Sequence, residues 1–201
     1  MSARRAEIVE IARGLFAEKG YASTSTRDIA DACGLLAGSL YSHFRSKGQI
    51  LELAMAPFLD RLVAAMHDGA AEHGTGAERV EAMTRRVVAE CAAHPAELRI
   101  LHYAWPNIQA ADELGELNER STETLDLWQK VLASGVEDGT IRSDVQPEVA
   151  MRVITSSIHG VLDRQRYGTR TDLLDMLGLD VLTDQVVLVV VNGLRATPPD
   201  A

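Results

Sequence analysis

Between Thr26 and Lys47 the chain sets hydroxyl, guanidinium, imidazole and ammonium groups at short intervals: Thr26, Arg27, Ser39, Tyr41, Ser42, His43, Arg45 and Lys47. The stretch LLAGSLYSHFRSK, Leu35 to Lys47, crowds most of them beside the small residues Ala37 and Gly38. Such a run could be a solvated turn, part of a catalytic site, or a short helix pressed against a phosphate backbone. Catalysis finds little support. The chain holds no Gly-x-Ser-x-Gly, phosphate loop, dinucleotide fingerprint or His-Glu-x-x-His. His159 and Asp163 stand four apart on one helix face, yet no third metal ligand follows at helical spacing. The expectation is a protein that is not an enzyme, with no cofactor and no metal.

The elements that must position these groups read as helices. Ile8, Ile11, Ala12, Leu15 and Phe16 have the spacing of one buried stripe, and Lys19 followed by Gly20 is a helix stop. STSTRDIADACG opens with hydroxyl residues, and Ser25-x-x-Asp28 is a capping-box variant before a short helix that Gly34 closes. AGSLYSHF is too short to be helical alone in water, so Leu40 and Phe44 must anchor it inward. Ser46 then caps a long helix, KGQILELAMAPFLDRLVAAMHDG. Two short helices joined by a tight glycine-bearing turn, after a first helix, form a helix-turn-helix pattern.

AEHGTGAE reads as a loop, and from residue 77 onward the periodicity is helical, over about 77–93, 96–104, 110–135, 146–166 and 180–195. Breaks fall at Pro95, Pro106, Gly135, Gly139, Pro147 and Gly168. VVLVVV, Val186 to Val191, has strand-like composition, but no partner strand is in sight, so it reads as a last helix buried on more than one side.

Bulk properties agree. At 201 residues, 46% hydrophobic and 24% charged, the chain can bury a substantial core and is not a disordered one. No apolar run reaches a membrane span and the start MSARRAEIVE lacks a signal core, so a cytoplasmic protein is expected. Cys33 and Cys91 read as reduced, buried small hydrophobes. The net charge of −9 argues against nucleic acid until its distribution is considered. Residues 1–50 carry seven Lys/Arg against five acids, leaving thirteen against twenty-four for the rest. A mildly basic head on an acidic body suggests two tasks in one chain.

FAEKGYxxTSTRDIADACGLLAGSLYSHFRSK resembles the DNA-binding head of the tetracycline-repressor (TetR) family, over about residues 5–52. The resemblance implies an all-α fold: a three-helix helix-turn-helix DNA-binding domain at 1–50, and a larger helical ligand-binding and dimerisation domain at 51–201. It implies a homodimer that binds a palindromic double-stranded DNA operator, represses transcription and is released by a small-molecule effector. PEVAMRVITSSIHGVLDRQRYG and DVLTDQVVLVVVNGLR resemble the family's paired last helices, with Gly160 and Gly193 allowing close approach. GLLAGSLYSHFRSK further resembles actinobacterial members that sense CoA thioesters from steroid or fatty-acid breakdown. Two alternatives stay open: a body that only dimerises, or one that answers to drug-like aromatic compounds as an efflux regulator.

The family's phosphate-contacting positions match Thr26, Tyr41, His43 and Lys47. Chemistry suits them: Thr26 opens a helix, where a hydroxyl and free N–H groups favour an anion, and Lys47 adds a mobile charge at the start of another. Arg27 is the candidate base reader, since its fork can hold guanine O6 and N7 together. Ala37, Gly38 and Ser39 are small enough to let backbone approach the major-groove floor, and DNA shape is expected to carry part of the readout. For the effector, apolar walls and a few aimed polar groups are required, and Met83, Val87, Cys91, His102, Trp105, Trp128, His159 and Arg166 supply them.

Overall fold

The computed structural model describes residues 1–109, 115–163 and 173–196. Among them the chain is helical, with no strand beyond one isolated antiparallel bridge, Ile141 to Arg195. It divides into two compact units, Met1–Asp60 with His94–Ser121, and Arg61–Ala93 with Thr122–Ala201. This division by compactness differs from a cut after residue 50.

In the first unit, α1 (Ala3–Lys19) is capped by the Ser2 side chain and ended by Gly20. It buries Ile8, Val9, Ala12, Phe16 and Ala17, while Ile11 and Leu15 are half-buried at the edge of the stripe. Each large side chain buried this way contributes about 1.5–3 kcal/mol against the entropy of ordering the chain. Helix α2 (Thr26–Ala32) begins with the expected capping box: Asp28 N–H donates to Ser25 Oγ, and Ser25 N–H donates to the Asp28 carboxylate. A turn follows in which Gly34 adopts φ +66°, a left-handed conformation that suits glycine. Then comes α3 (Ala37–Leu40), one helical turn. Leu40 and Phe44 are buried, as their i, i+4 spacing requires. Helix α4 (Lys47–Ala70) starts beside Ser46, whose Oγ accepts from Gln49 N–H, and contains Pro57 within its run. Helix α6 (Pro95–Gln109) packs on α1, and the buried Glu97 meets Arg13 at 3.3 Å. Pro106 lies inside α6 rather than ending it, because a proline removes one N–H donor without reversing the helix.

The second unit is built on α5 (Gly76–Ala93), α7 (Gly115–Glu137) and α8 (Pro147–Leu162). A short α9 (Leu173–Leu177) and α10 (Leu179–Val186) follow. AEHGTGAE is therefore loop only up to Thr75, where Thr75 N–H donates to Glu78. The apolar tail of α10 widens into a π-helical turn, Val187–Val191, and tightens to a 3-10 turn, Asn192–Leu194. The last helix is thus continuous in course but not in hydrogen bonding. Val187 and Val191 are buried, whereas Leu188 and Val189 are exposed, so burial within the chain covers one side only. Beyond it, Arg195 reaches Glu81 at 2.8 Å and Ala196 N–H donates to Thr140 O.

The start of α5 and the end of α7 cross almost backbone to backbone. A Cβ on Gly76 would stand 2.2 Å from Gly135 Cα, and one on Gly135 would stand 2.5 Å from Ile141 Cδ1. Gly76 N–H donates to Asp138 at 2.6 Å, which locks the crossing. Gly76→Ala, whose Cβ would meet the Gly135 backbone, should cost about 1–3 kcal/mol through overpacking, lowering the thermal midpoint by circular dichroism; an unchanged midpoint would mean that the crossing can spread.

Candidate nucleic-acid interface

The expected contact residues gather where α2, α3 and the start of α4 meet the surface. Thr26, the first residue of α2, holds its hydroxyl 3.3 Å from the Tyr41 hydroxyl. Tyr41 is 58% exposed, so its ring faces out rather than into α1, and the two hydroxyls present one donor-acceptor patch. The Arg27 side chain is 83% exposed and only loosely paired with Asp31, at 3.9 Å. Its fork is therefore available at little cost. His43 is half-buried, with its ring tilted against Phe44 at 6.4 Å. The Ser39 carbonyl accepts from the Ser42 hydroxyl, which tightens the turn after α3.

Gly38 is informative by what surrounds it. It does not have positive φ, and a Cβ added there would meet nothing within 4 Å. Nothing in the chain's own packing asks for glycine at this position, although glycine costs a helix about 1 kcal/mol relative to alanine. Ala37 opens α3 beside it.

Lys47 departs from the expected mobile charge. Its ammonium donates to Tyr21 O and Thr24 O, both at 2.8 Å, and lies 4.2 Å above the Tyr21 ring. The Tyr21 ring in turn meets Phe16 edge-on at 5.3 Å. Burial lowers the Lys47 pKa, while the two carbonyls and the ring face oppose that by solvating the charge. Lys47 thus ties the loop before α2 to the start of α4. Thr24, fully buried, braces the same loop by donating to Gly20 O at 2.8 Å. Sequence spacing does not reveal this clamp, because its acceptors are backbone carbonyls. The order Phe16, Tyr21 and Lys47 is the sole trace of it.

The expected effector residues fall in both units. Met83, Val87 and Cys91 are buried along α5, and Trp128 is buried on α7. Met83 abuts α4, since a Cβ on Gly69 would stand 2.7 Å from Met83 Cα. Burial pushes the Cys91 thiol up to about 12, so it stays protonated and apolar. His159 is half-buried on α8 and His102 half-buried on α6. Trp105 lies on α6 with its side chain outside the described residues, and Arg166 is wholly outside them. A cleft of about 170 Å³ opens in the first unit, lined by Gln49, Glu52, Leu53, Ala56, Leu117 and Arg120. None of the expected effector residues lines it, and it is smaller than the ~300–1,000 Å³ usual for ligand pockets.

Lys47→Ala should remove the ammonium donor from Thr24 O and leave Tyr21 O with only the Thr24 N–H at 3.3 Å, at a cost of about 1–3 kcal/mol. The check is chemical denaturation of the full chain, and undiminished stability would contradict the clamp.

Two family models match the chain. That of the bacterial regulatory proteins of the tetR family covers residues 8–54, and a tetracyclin repressor-like C-terminal domain covers residues 73–163. The HTH-type transcriptional repressor KstR2 of Rhodococcus jostii is 33% identical over 195 residues, 97% of this chain and 93% of the relative. The ketosteroid transcriptional regulator KstR2 of Mycobacterium tuberculosis superposes with a TM-score of 0.77 at 27% identity, over 98% of this chain and 97% of that one. AibR in complex with isovaleryl coenzyme A and operator DNA shares the fold, with a TM-score of 0.73 at 20% identity, over 93% and 98% of the two chains. With a helix-turn-helix head, an all-helical body and a repressor matched along nearly its full length, this chain belongs to the tetR family of bacterial regulatory proteins, a family of regulators rather than enzymes.

Proposed function

We propose that this protein is a homodimeric transcriptional repressor that binds a palindromic operator and is released by a CoA thioester from steroid or fatty-acid breakdown. The observation that carries the DNA reading is the cluster at α2 and α3: two adjoining hydroxyls, an exposed guanidinium paired only loosely with Asp31, and a glycine that the fold itself does not need. Residues 1–50 act as the DNA-binding head and 51–201 as the effector and dimerisation body. Thr26, Tyr41 and His43 contact phosphates, Arg27 reads a guanine edge, and Ala37, Gly38 and Ser39 admit the backbone to the groove. Lys47 adds its charge to the same phosphates from its fixed position. The two α3 helices enter successive major grooves roughly 34–36 Å apart.

For the dimer, Val149 and Val153 on α8, Val181 on α10, and Leu188 and Val189 on the π turn are all exposed apolar residues. Among the described residues, a Cβ on Gly160 or Gly193 would meet nothing within 4 Å, which suits close approach by a second copy. The steroid side of this reading is supported by the ketosteroid regulator KstR2 among the relatives, and the CoA side by AibR, whose complex holds isovaleryl coenzyme A and operator DNA. Met83, Val87, Cys91, His102, Trp105, Trp128, His159 and Arg166 are the residues assigned to the pocket. The protein works in the cytoplasm, and no helix among the described residues is long and apolar enough to cross a membrane.

Binding to duplexes bearing permuted half-sites tests the DNA reading. Arg27→Ala should lose discrimination at one base pair per half-site, about 1–3 kcal/mol, and unchanged selectivity would reject it as a reader. Gly38→Ala should melt higher, by up to about 1 kcal/mol of stability, yet bind the operator more weakly; an equal or tighter complex would remove the close-approach argument. A thermal-shift series with acyl- and steroid-type CoA thioesters tests the effector. A ligand at a hundred times its Kd should add about 2.7 kcal/mol. Stabilisation by aromatic drugs alone would transfer the protein to the efflux class.

A further inference from the structure

Large apolar side chains exposed among the described residues fall into two groups, apart from the terminal Met1. One lies from Val149 onward, in the segments assigned to the dimer and, with Met176 and Leu177, on α9 between them. The other is Leu36 and Tyr41, which bracket α3. Leu36 is 82% exposed, more than any other of these residues, and it sits at the N-cap of α3. Its neighbour Leu35 is half-buried, so the pair divides, one turning towards the unit and the other away.

The position makes the residue type notable. Serine side chains cap the helices on either side: Ser2 on α1, Ser25 on α2 and Ser46 at the start of α4. At α3 no side-chain cap exists, because leucine cannot supply one. The shortest of these helices therefore forgoes the local stabilisation that a hydroxyl would give. It exposes an isobutyl group to water instead, at the end of the helix that approaches base edges in helix-turn-helix proteins. Gly38, whose missing side chain leaves open space, lies two residues on.

We infer that Leu36 reads the 5-methyl group of a thymine in the major groove, and so sets part of the operator sequence. This rests on the DNA-binding reading above. The major-groove edge of an A·T pair offers that methyl, and an apolar side chain is its natural partner. Leu36 takes the apolar half of recognition, while Arg27 takes the hydrogen-bonding half. Neither function needs a side chain on Gly38, whose absence brings the start of α3 close to the groove floor.

Deoxyuridine keeps the hydrogen-bonding edge and charge of thymidine and lacks only the methyl. The test uses the full-length dimer and an operator that the wild-type protein selects from random duplexes. Each thymine of a half-site is replaced in turn by deoxyuridine, and Kd is measured by fluorescence anisotropy at fixed salt. For the wild type, one position per half-site should weaken binding roughly fourfold, the worth of one methyl removed from water. Leu36→Ala should bind the thymine and deoxyuridine forms of that position equally, and Leu36→Met should retain the sensitivity. The exposure of Leu36 means that both variants should melt as the wild type does. The inference is overturned if Leu36→Ala keeps the wild-type pattern, if no thymine is methyl-sensitive, or if Leu36→Ala weakens random and selected duplexes alike. A wild-type protein that selects no duplex would overturn the DNA-binding reading itself.

Discussion

One turn of helix has almost no stability of its own, since fixing its dihedral angles costs more than its few hydrogen bonds return. Ala37–Leu40 nevertheless has a defined course, and its surroundings explain why. Leu40 and Phe44 are buried beneath it, the Arg5 guanidinium of α1 covers the Phe44 ring at 5.0 Å, and α2 packs against it. On the other side of α2, the Lys47 ammonium and the buried Thr24 hold the loop that leads into the capping box. The surface formed by Thr26, Arg27, Leu36, Gly38 and Tyr41 thus depends on contacts beneath it. Its side chains can stay exposed because the anchors are elsewhere.

Capping chemistry and apolar spacing made much of this legible in advance. Ser25 with Asp28, Ser46 before α4, and Leu40 with Phe44 are local patterns, and local patterns survive without knowledge of tertiary structure. The features that were not legible involve backbone or context. Lys47 looks like a surface cation in the sequence, and only the fold brings two carbonyls and a ring to it. Pro106 looks like a stop, yet α6 passes it, as α4 passes Pro57. Val186–Val191 suggested a helix buried on more than one side; the π turn buries Val187 and Val191 and leaves Leu188 and Val189 out. Periodicity cannot distinguish a face covered by the same chain from one awaiting a second copy.

The two units carry different kinds of constraint. In the second, α5 and α7 meet through glycines at a distance that excludes even a methyl group, and α5, α8, α10 and the π turn enclose its apolar core. Bulky core residues such as Met83, Cys91 and Trp128 can line an effector cavity only where such packing leaves room. In the first unit, the Glu97 carboxylate on α6 is buried against Arg13 of α1, which is itself engaged by Glu10. Removing either partner would strand a charge in a poorly solvated place. That is a reason for α6 to keep its position on α1, and it explains why a simple cut after residue 50 does not coincide with the compact units.

The central claim is that the α2–α3 surface recognises DNA by sequence, twice per dimer. The most direct measurement is selection of bound duplexes from a random-sequence pool by the full-length protein, read by sequencing. The account predicts enrichment of an inverted repeat whose half-site centres are about 10 base pairs apart, one turn of the duplex. Enrichment of a single unrepeated site, or of no sequence above the starting pool, would contradict it.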